Sequence, residues 1–420
     1  MIKNELIDFI NKSPTAFNAI YNIKEMLIKK GFLELKEEDK FIIEKGKSYF
    51  ITRNESCLLA FSIGKNIQED FSFKIVASHV DSPSFKVKPN YNSKTDVYNK
   101  INIEPYGGMI NSTWLDRPLS LAGRVIVKED NKLVSKIINI DKPILMIPNM
   151  CIHFNREINK GYSYNYAVDM QPFMGQDDVG NTILELLKDY LKVDERDILN
   201  FDLFTYNFEK GYLWGKNEEF ISSSRLDDLE CAFISFKSLL EGSNENSINV
   251  CALFDNEEVG STTIQGANSD FLETVLKRIN YALHFNEEIF YQSISKSFLI
   301  SSDNAHAVHP NLVNYTDSNN KVYMNKGIVI KFNASQSYTT DGFSSSFIQN
   351  LCLLENIPYQ FFTNKADIRG GSTLGNISNT HLSLKSVDIG LAQLAMHSSF
   401  ETAGAEDINY LFKLLKAFYQ

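Results

Sequence analysis

The sequence predicts an α/β fold in which a mostly parallel sheet, covered by helices on both faces, is interrupted by an inserted β-rich domain. Apolar strand-like runs alternate with helical runs along most of the chain, and this alternation is typical of parallel sheets with helical crossovers. The length of 420 residues is too great for one simple core and favours a second domain. Between residues 89 and 222 the pattern changes, because helical periodicity is sparse and Asn, Tyr, Gly and Pro are frequent.

The first helix is predicted over "SPTAFNAIYNIKEMLIKKGF", with Ser13 as its N-terminal cap and Pro14 in its first turn. Strands should follow at "SYFITR", "SCLLAFSIG" and "FSFKIVASH", and in the last of these apolar residues alternate until the run stops at His79. Within the insertion, "LSLAGRVIVKEDNKLVSKIINI" indicates two strands joined by a turn that contains Asp and Asn.

After the insertion, "SRLDDLECAFISFKSLLEG" has apolar residues three and four apart, which indicates an amphipathic helix that ends at Gly242. The runs "SINVCALF" and "SKSFLISSD" indicate buried strands, with a helix between them at "FLETVLKRINYAL". A strand at "KSVDIG" and a helix at "EDINYLFKLLKAF" close the chain.

Composition argues against several classes of protein. The net charge is −10 and basic residues are not concentrated, so a nucleic-acid partner is not expected. The five cysteines are scattered without C-x-x-C spacing, which argues against a disulfide framework or a cysteine zinc site. No run approaches the ~18 apolar residues of a membrane span, and the first residues lack the pattern of a signal peptide. We therefore expect a cytoplasmic enzyme without a membrane partner.

Side chains of the types that bind metals collect where the predicted strands end. Because ligands of open α/β sheets bind beyond the carboxyl ends of the strands, residues far apart in sequence should meet at one edge. A pair of acids also lies at the predicted start of a helix. The side chains in question are His79, Asp81, Asp227, Asp228, Asp255, Glu257, Glu258, Asp303, His306 and His397.

Histidines and carboxylates without cysteine suit Zn²⁺, or Mn²⁺ and Co²⁺. Two ions ~3.5–4 Å apart would need a shared carboxylate, and an unliganded carboxylate beside them could carry a proton. Each feature also has a structural explanation, since a lone histidine is commonly structural, a Glu-Glu pair is commonly a solvated turn, and a strand-terminal Asp commonly caps a helix. Spacing alone therefore leaves both a metal site and a structural cluster open.

An ordered set of motifs carries a resemblance to a known family: "ASHVDSP", "SRLDDL", "FDNEEVGS", "SSDNAHAVHPN", "GGSTLG" and "LAQLAMHSSFETAG". Together they resemble the M18 metalloaminopeptidases, the aspartyl aminopeptidase family, from about residue 13 to the carboxyl terminus. The resemblance implies a three-layer α/β/α zinc-exopeptidase domain formed by residues 1–88 and 223–420. Residues 89–222 would be an inserted oligomerisation domain.

The resemblance also implies a reaction, in which a water bridging two zinc ions removes the N-terminal residue of a peptide. Glu257 would act as general base and acid, and Asp81 would orient the ring of His79. Asp228 has no assigned role, and His153 resembles a histidine that reaches the active site of a neighbouring subunit. The metal ligands implied by the motifs, with Asp227 as the bridging carboxylate, are His79, Asp227, Glu258, Asp303 and His397.

Substrate and assembly are implied by the resemblance in the same way. The family name implies N-terminal Asp or Glu, although some relatives prefer neutral residues. Lys331 matches a position that contacts an acidic side chain, with an exposed strand lysine as the alternative. The loop around Gly371 and Ser372 would offer backbone N–H groups to substrate. Family members form tetrahedral dodecamers that enclose their active sites and admit short peptides with free N-termini.

Two alternatives stay open at the level of the sequence. Another dizinc hydrolase, such as a carboxypeptidase or a deacylase, would use the same ligands. A self-assembling shell protein that is not an enzyme would keep only the fold.

Overall fold

The structure is a computed structural model that describes residues 2–176, 183–368, 370–371 and 373–420. The chain divides into two compact units. The first unit contains the residues up to Asp81 together with Gly211–Met396 and Glu401–Gln420, and the second contains Ser82–Lys210 and His397–Phe400. The assignment of residues 89–222 to an oligomerisation domain stays a prediction.

Helices and strands are numbered separately in chain order. In the described part of the chain the α-helices are α1 (Ile2–Lys12), α2 (Ala16–Lys29), α3 (Ile183–Leu191), α4 (Leu226–Glu241), α5 (Phe271–Ala282), α6 (Glu287–Lys296), α7 (Gly342–Leu354), α8 (Leu374–Ser378) and α9 (Asp407–Tyr419).

The first unit contains a nine-stranded sheet, the large sheet, with the order β1-β2-β3-β13-β4-β14-β18-β16-β17 among the described residues. Its strands are β1 (Leu33–Leu35), β2 (Ser48–Arg53), β3 (Cys57–Ile63), β4 (Phe73–His79), β13 (Ile248–Phe254), β14 (Phe298–Ser302), β16 (Ile328–Phe332), β17 (Tyr359–Thr363) and β18 (Lys385–Gly390). β13, β4, β14 and β18 pair in parallel, whereas β3 with β13 and β18 with β16 pair antiparallel. The fold is therefore mixed α/β, and antiparallel pairs flank the parallel centre.

Alternate residues of the large sheet enter different apolar clusters, since successive side chains of a strand point to opposite faces. Val76 and Leu253 pack with residues of α1, α2, α4 and α9. Ile75 and Ala252 pack with residues of α5 and α6. β13 is buried along its whole length, which explains why its sequence is a continuous apolar run with no polar alternation.

A small five-stranded sheet also belongs to the first unit, with the order β11-β12-β20-β19-β15 among the described residues. Its strands are β11 (Tyr212–Trp214), β12 (Phe220–Ser223), β15 (Ala305–His306), β19 (Ala392–Leu394) and β20 (Glu401–Gly404). β20 pairs antiparallel with β12, so the residues just before α4 lie beside the strand that begins with Glu401.

The second unit is built on an antiparallel six-stranded sheet with the order β8-β7-β10-β5-β6-β9 in its described residues. The turn between β7 and β8 places Asp130 and Asn131 at positive φ, of 48° and 62°, as suits a two-residue hairpin turn. The two strands predicted from "LSLAGRVIVKEDNKLVSKIINI" are thus confirmed. The strands of this sheet are β5 (Ser84–Thr95), β6 (Tyr98–Tyr106), β7 (Leu119–Glu129), β8 (Lys132–Asn139), β9 (Phe173–Gln176) and β10 (Ile198–Asn207).

The predicted start of the first helix is wrong. Thr15 caps α2 with extended backbone angles, and its hydroxyl accepts a hydrogen bond from the Asn18 N–H at 3.4 Å. Ser13 instead follows the preceding helix α1, and its N–H donates to the carbonyl of Ile10. A preceding helix shifts the cap because the chain has to leave α1 before it can enter α2.

All five cysteines are free, and only Cys151 among them is exposed. None of the helices in the described residues is long and apolar enough to cross a membrane.

Candidate metal centre

Adjacent parallel strands bring the predicted site residues to one edge of the large sheet. Phe254 ends β13 and is in register with His79, which ends β4. β14 pairs with β4 on the other side, and Asp303 follows it directly. The short 3₁₀ turn Glu257–Val259 comes just after β13. The ends of these three strands thus deliver an imidazole and several carboxylates to the same place, as the sequence predicted.

His79, Asp227 and Asp303 form one group of possible metal ligands. One donor atom of each lies within 4.8 Å of the others, and all three residues are buried. His79 Nε2 is 3.4 Å from Asp227 Oδ1 and 3.9 Å from Asp303 Oδ1. Imidazole nitrogen and carboxylate oxygen are donors that zinc takes in sites without cysteine, so the chemistry of this group fits zinc.

A second group contains His79 with Glu257 and Glu258, whose donor atoms also lie within 4.8 Å of one another. Both glutamates are half-buried. Because His79 belongs to both groups, the two sets of donors adjoin. The adjacent acids of "FDNEEVGS" therefore do not form an isolated solvated turn; they face a buried imidazole.

The ring of His79 is oriented so that one nitrogen faces these donors. Its Nδ1 lies 3.1 Å from the backbone carbonyl of Asp81, and a carbonyl oxygen can only accept a hydrogen bond. When the ring is neutral, its proton is therefore on Nδ1, and Nε2, on the side of Asp227 and Asp303, would offer its lone pair to a metal ion. Neutral imidazole with a free Nε2 lone pair is the form that binds a metal ion.

Asp81 has a second contact that sequence reasoning did not predict. Its carboxylate lies 3.4 Å from His79 Nδ1, but its oxygens also accept hydrogen bonds from the backbone N–H groups of Glu257 and Glu258, both at 3.1 Å. One side chain therefore holds both the imidazole and the backbone of the two glutamates.

Burial and like charges shift the protonation of this cluster. Burial, together with the carboxylates of Asp303 and Asp81, raises the pKa of Glu257 to about 7 against the opposing effect of His79. Burial also raises the pKa of Asp228 well above its ordinary value. Crowded buried carboxylates repel one another, and a bound divalent cation would offset that repulsion.

Asp228 and Glu401 contact the site residues, although sequence analysis gave them no role. Asp228 Oδ2 accepts a hydrogen bond from the His79 N–H at 3.2 Å, and Glu401 Oε2 accepts one from the Asp227 N–H at 3.0 Å. Both carboxyl groups are buried. The sequence offered one signal, the consecutive acids Asp227 and Asp228 at a helix start with apolar neighbours. Burying such acids costs free energy unless each has a hydrogen-bond or charge partner.

Comparison with known proteins identifies the family. The family model described as aminopeptidase I zinc metalloprotease (M18) matches residues 9–419, nearly the whole chain. The chain belongs to the M18 family.

Individual relatives match this chain over nearly its full length. A probable M18 family aminopeptidase 2 of Clostridium novyi is 48% identical and covers 99% of this chain and 98% of its own. Aspartyl aminopeptidase 1 of Schizosaccharomyces pombe is 37% identical, over 99% of this chain and 94% of its own. The solved structure of the S. cerevisiae mApe1 dodecamer superimposes with a TM-score of 0.88 at 27% identity, over 100% of this chain and 96% of that one.

Family membership decides between the alternatives that the sequence left open. The chain is an aminopeptidase of a zinc metalloprotease family, which favours that enzyme class over a carboxypeptidase, a deacylase or a non-catalytic shell protein.

Lys331 lies beside this M18 site but is not an exposed strand lysine. It is 2% exposed, and its Nζ lies 2.8 Å from the carbonyl oxygen of Asn304 and 3.4 Å from Asp303 Oδ2. Burial by itself would lower the pKa of Lys331, but Asp303 and Tyr338 outweigh burial and raise it. The ammonium therefore stays charged and already has protein partners.

The remaining predicted site residues are Gly371, Ser372, His153 and His397. Gly371 is exposed, and a Cβ added there would meet no atom within 4 Å. Ser372 lies outside the described residues. His153 is in an exposed turn of the second unit. His397 also belongs to the second unit, with its Nδ1 2.6 Å from the carbonyl oxygen of Gly108. Their roles stay predictions.

Proposed function

We propose that the protein removes acidic N-terminal residues, Asp or Glu, from short peptides, with two zinc ions in each subunit. The observation that carries this proposal is the cluster of His79, Asp227 and Asp303 beside Glu257 and Glu258. This set contains a ligand-type donor for more than one ion and a further carboxylate with a raised pKa. It is supported by the M18 family match over residues 9–419.

In this proposal His79, Asp227 and Asp303 would hold one ion, and Asp227 with Glu258 would hold a second. His397 as a further ligand to the second ion is taken from the family resemblance. Bound zinc would polarise the scissile carbonyl and lower the pKa of a water molecule. Mn²⁺ or Co²⁺ would serve as substitutes, because they accept the same nitrogen and oxygen donors.

Glu257 is the proposed proton carrier. In the metal-free protein its pKa of about 7 lies near neutral pH, where a carboxyl group can take up and release a proton with similar ease. It would accept a proton from water at a carboxylate oxygen and donate it to the leaving amide nitrogen. Asp81 keeps the backbone of Glu257 in place through the hydrogen bond at 3.1 Å.

The preference for acidic residues rests on the aspartyl aminopeptidase among the relatives and on the position of Lys331. A cation next to the metal ligands would attract a substrate carboxylate. Backbone N–H groups of the loop at Gly371 and Ser372 are the proposed contacts to the peptide.

A homo-oligomer is proposed as the working form, and a tetrahedral dodecamer as its size, by analogy with the mApe1 dodecamer. His153 would then serve the active site of a neighbouring subunit. The cytoplasmic location expected from the sequence stays a prediction.

The test is metal removal and reconstitution of the full chain. Zinc per subunit is measured before and after chelation, and turnover of Asp-, Glu-, Leu- and Lys-anilides is followed as Zn²⁺, Mn²⁺ or Co²⁺ is returned. We expect activity to disappear on chelation, to return with close to two ions per subunit, and to be highest on Asp or Glu.

Each part of the proposal has its own contradicting result. Cleavage of N-acetylated peptides at a similar rate would contradict an aminopeptidase mechanism. Full activity with one ion per subunit would contradict the two-ion centre, and faster cleavage of Leu than of Asp would contradict the acidic preference. The elution volume in size-exclusion chromatography tests the oligomer.

A further inference from the structure

We propose that Asn304 is a positioning residue that locks two metal ligands, Asp303 and Asp227, to each other. The inference rests on the proposed metal centre and extends it to a residue that does not bind the metal. Asn304 is 3% exposed and follows Asp303 directly in the chain.

The side-chain amide of Asn304 reaches the peptide group just before Asp227. Its Nδ2 donates to the backbone carbonyl of Leu226 at 3.2 Å, while the N–H of that same peptide group, on Asp227, donates to Glu401 Oε2 at 3.0 Å. Both polar atoms of the Leu226–Asp227 peptide group are therefore held, which fixes the plane of the peptide and the direction in which Asp227 leaves the backbone.

The orientation of the amide is determined by its surroundings. Besides Leu226, its Nδ2 lies 2.8 Å from Gln393 Oε1 and 3.2 Å from Glu230 Oε2, and all three partners offer oxygen acceptors. On the other side, the thiol of Cys231 donates to Oδ1 at 3.1 Å. A flipped amide would set its oxygen against the backbone carbonyl of Leu226, which can only accept, so the contact with Leu226 favours the orientation in which Nδ2 faces it.

The backbone around Asn304 is held as firmly as its side chain. Its carbonyl oxygen accepts a hydrogen bond from Lys331 Nζ at 2.8 Å. The N–H groups of Asp303 and Ala305, on either side, donate to backbone carbonyls of Ile389 and Leu391. Backbone hydrogen bonds thus fix the position of Asp303. The hydrogen bond from the Asn304 side chain to the Leu226 carbonyl connects this fixed backbone to Asp227.

This connection matters for metal binding because Asp303 and Asp227 lie on different elements, at the end of β14 and at the start of α4. Two like charges repel when no metal is present, and each would otherwise relax away from the other. A buried amide that ties the two backbones together keeps both carboxylates close to His79 in the metal-free protein. Partners of this kind commonly change metal affinity by about 10–100-fold.

The test compares zinc affinity of Asn304→Ala with a matched control, Asn280→Ala. Asn280 is also a fully buried asparagine of the first unit, and its Nδ2 donates to the backbone carbonyls of Phe285 and Asn286. Zinc affinity is measured by titration against a competing chelator, and the thermal midpoint of each metal-free protein is recorded. We expect about 10–100-fold weaker zinc binding for Asn304→Ala. Asn280→Ala should destabilise the fold but leave zinc affinity within about twofold of the unsubstituted protein.

Gln393→Ala is the second variant, used if Asn304→Ala does not fold. It removes the shortest hydrogen bond of the Asn304 side chain without altering the backbone near a ligand, and zinc affinity should fall by about threefold to tenfold. Unchanged zinc affinity in the folded variants would overturn the role of Asn304 while leaving the metal centre intact. Failure of the unsubstituted protein to bind zinc would overturn the metal centre itself, and the role of Asn304 with it.

Discussion

Replacing Lys331 with methionine should impair cleavage of every substrate, and cleavage of acidic substrates most. The side chain is 2% exposed, and its ammonium lies 2.8 Å from the Asn304 carbonyl and 3.4 Å from Asp303 Oδ2. A hydrogen bond to a charged group contributes about 1.5–3 kcal/mol, and Asp303 also loses a nearby cation in a buried place. We expect the substitution to lower the stability of the metal-free protein by about 2–4 kcal/mol.

The assay separates the two roles of Lys331. Loss of support for Asp303 should lower kcat/KM for Leu- and Asp-anilides alike, by about tenfold or more. Loss of a direct contact to a substrate carboxylate should add a further loss that is confined to Asp and Glu. Lys237→Met is the control, because Lys237 forms a surface ion pair with Glu5 at 2.8 Å and such pairs contribute only about 0–1 kcal/mol.

Particular results would refute this reasoning. A Lys331→Met protein with an unchanged thermal midpoint and unchanged Leu-anilide turnover would show that the ammonium does not support Asp303. An equal loss on Leu and Asp substrates would show that it supports Asp303 but does not select acidic residues.

Three further predictions follow from other residues. Glu257→Gln should keep its zinc content and lose about 10²–10⁴-fold in kcat, and undiminished turnover would contradict proton transfer by Glu257. Glu401→Ala should weaken zinc binding by about tenfold in a chelator titration, because the Asp227 N–H loses its acceptor; equal affinity would contradict this. Burial raises the pKa of Asp407 to about 7, so the folded protein retains a proton that the unfolded chain releases near pH 4. Stability should therefore decline as pH rises from about 4 to about 7, and Asp407→Asn should remove up to about 4 kcal/mol of that decline, measured as thermal midpoints across this range.

The edge of the sheet at which the site lies could be predicted from the sequence because the relevant signals are local. Apolar runs that stop at His79 and before Asp303 mark the ends of strands, and parallel strands deliver their ends to one side. The turn at Asp130 and Asn131 was predictable from a local signal too, because Asp and Asn adopt positive φ more readily than most residues.

The contacts around the ligands could not be predicted in this way. Asp228, Glu401 and Asn304 act through hydrogen bonds to residues far along the chain, and nothing in their immediate sequence specifies those partners. Lys331 illustrates the same limit, because a lysine in a strand is usually exposed, and only tertiary packing shows that this one is buried against Asp303.

The pairing of β4 with β13 and β14 has a consequence for synthesis of the chain. His79 is made early, but its partner strands are made only after the intervening segment Ser82–Lys210. Contacts between residues so distant in sequence form slowly, because closing the long loop between them costs conformational entropy. The donor group of His79 with Asp303 is complete only when β14 has joined β4, so a fragment that ends before β14 lacks the assembled ligand set. The order of the strands therefore predicts that peptidase activity appears only after most of the chain has been made.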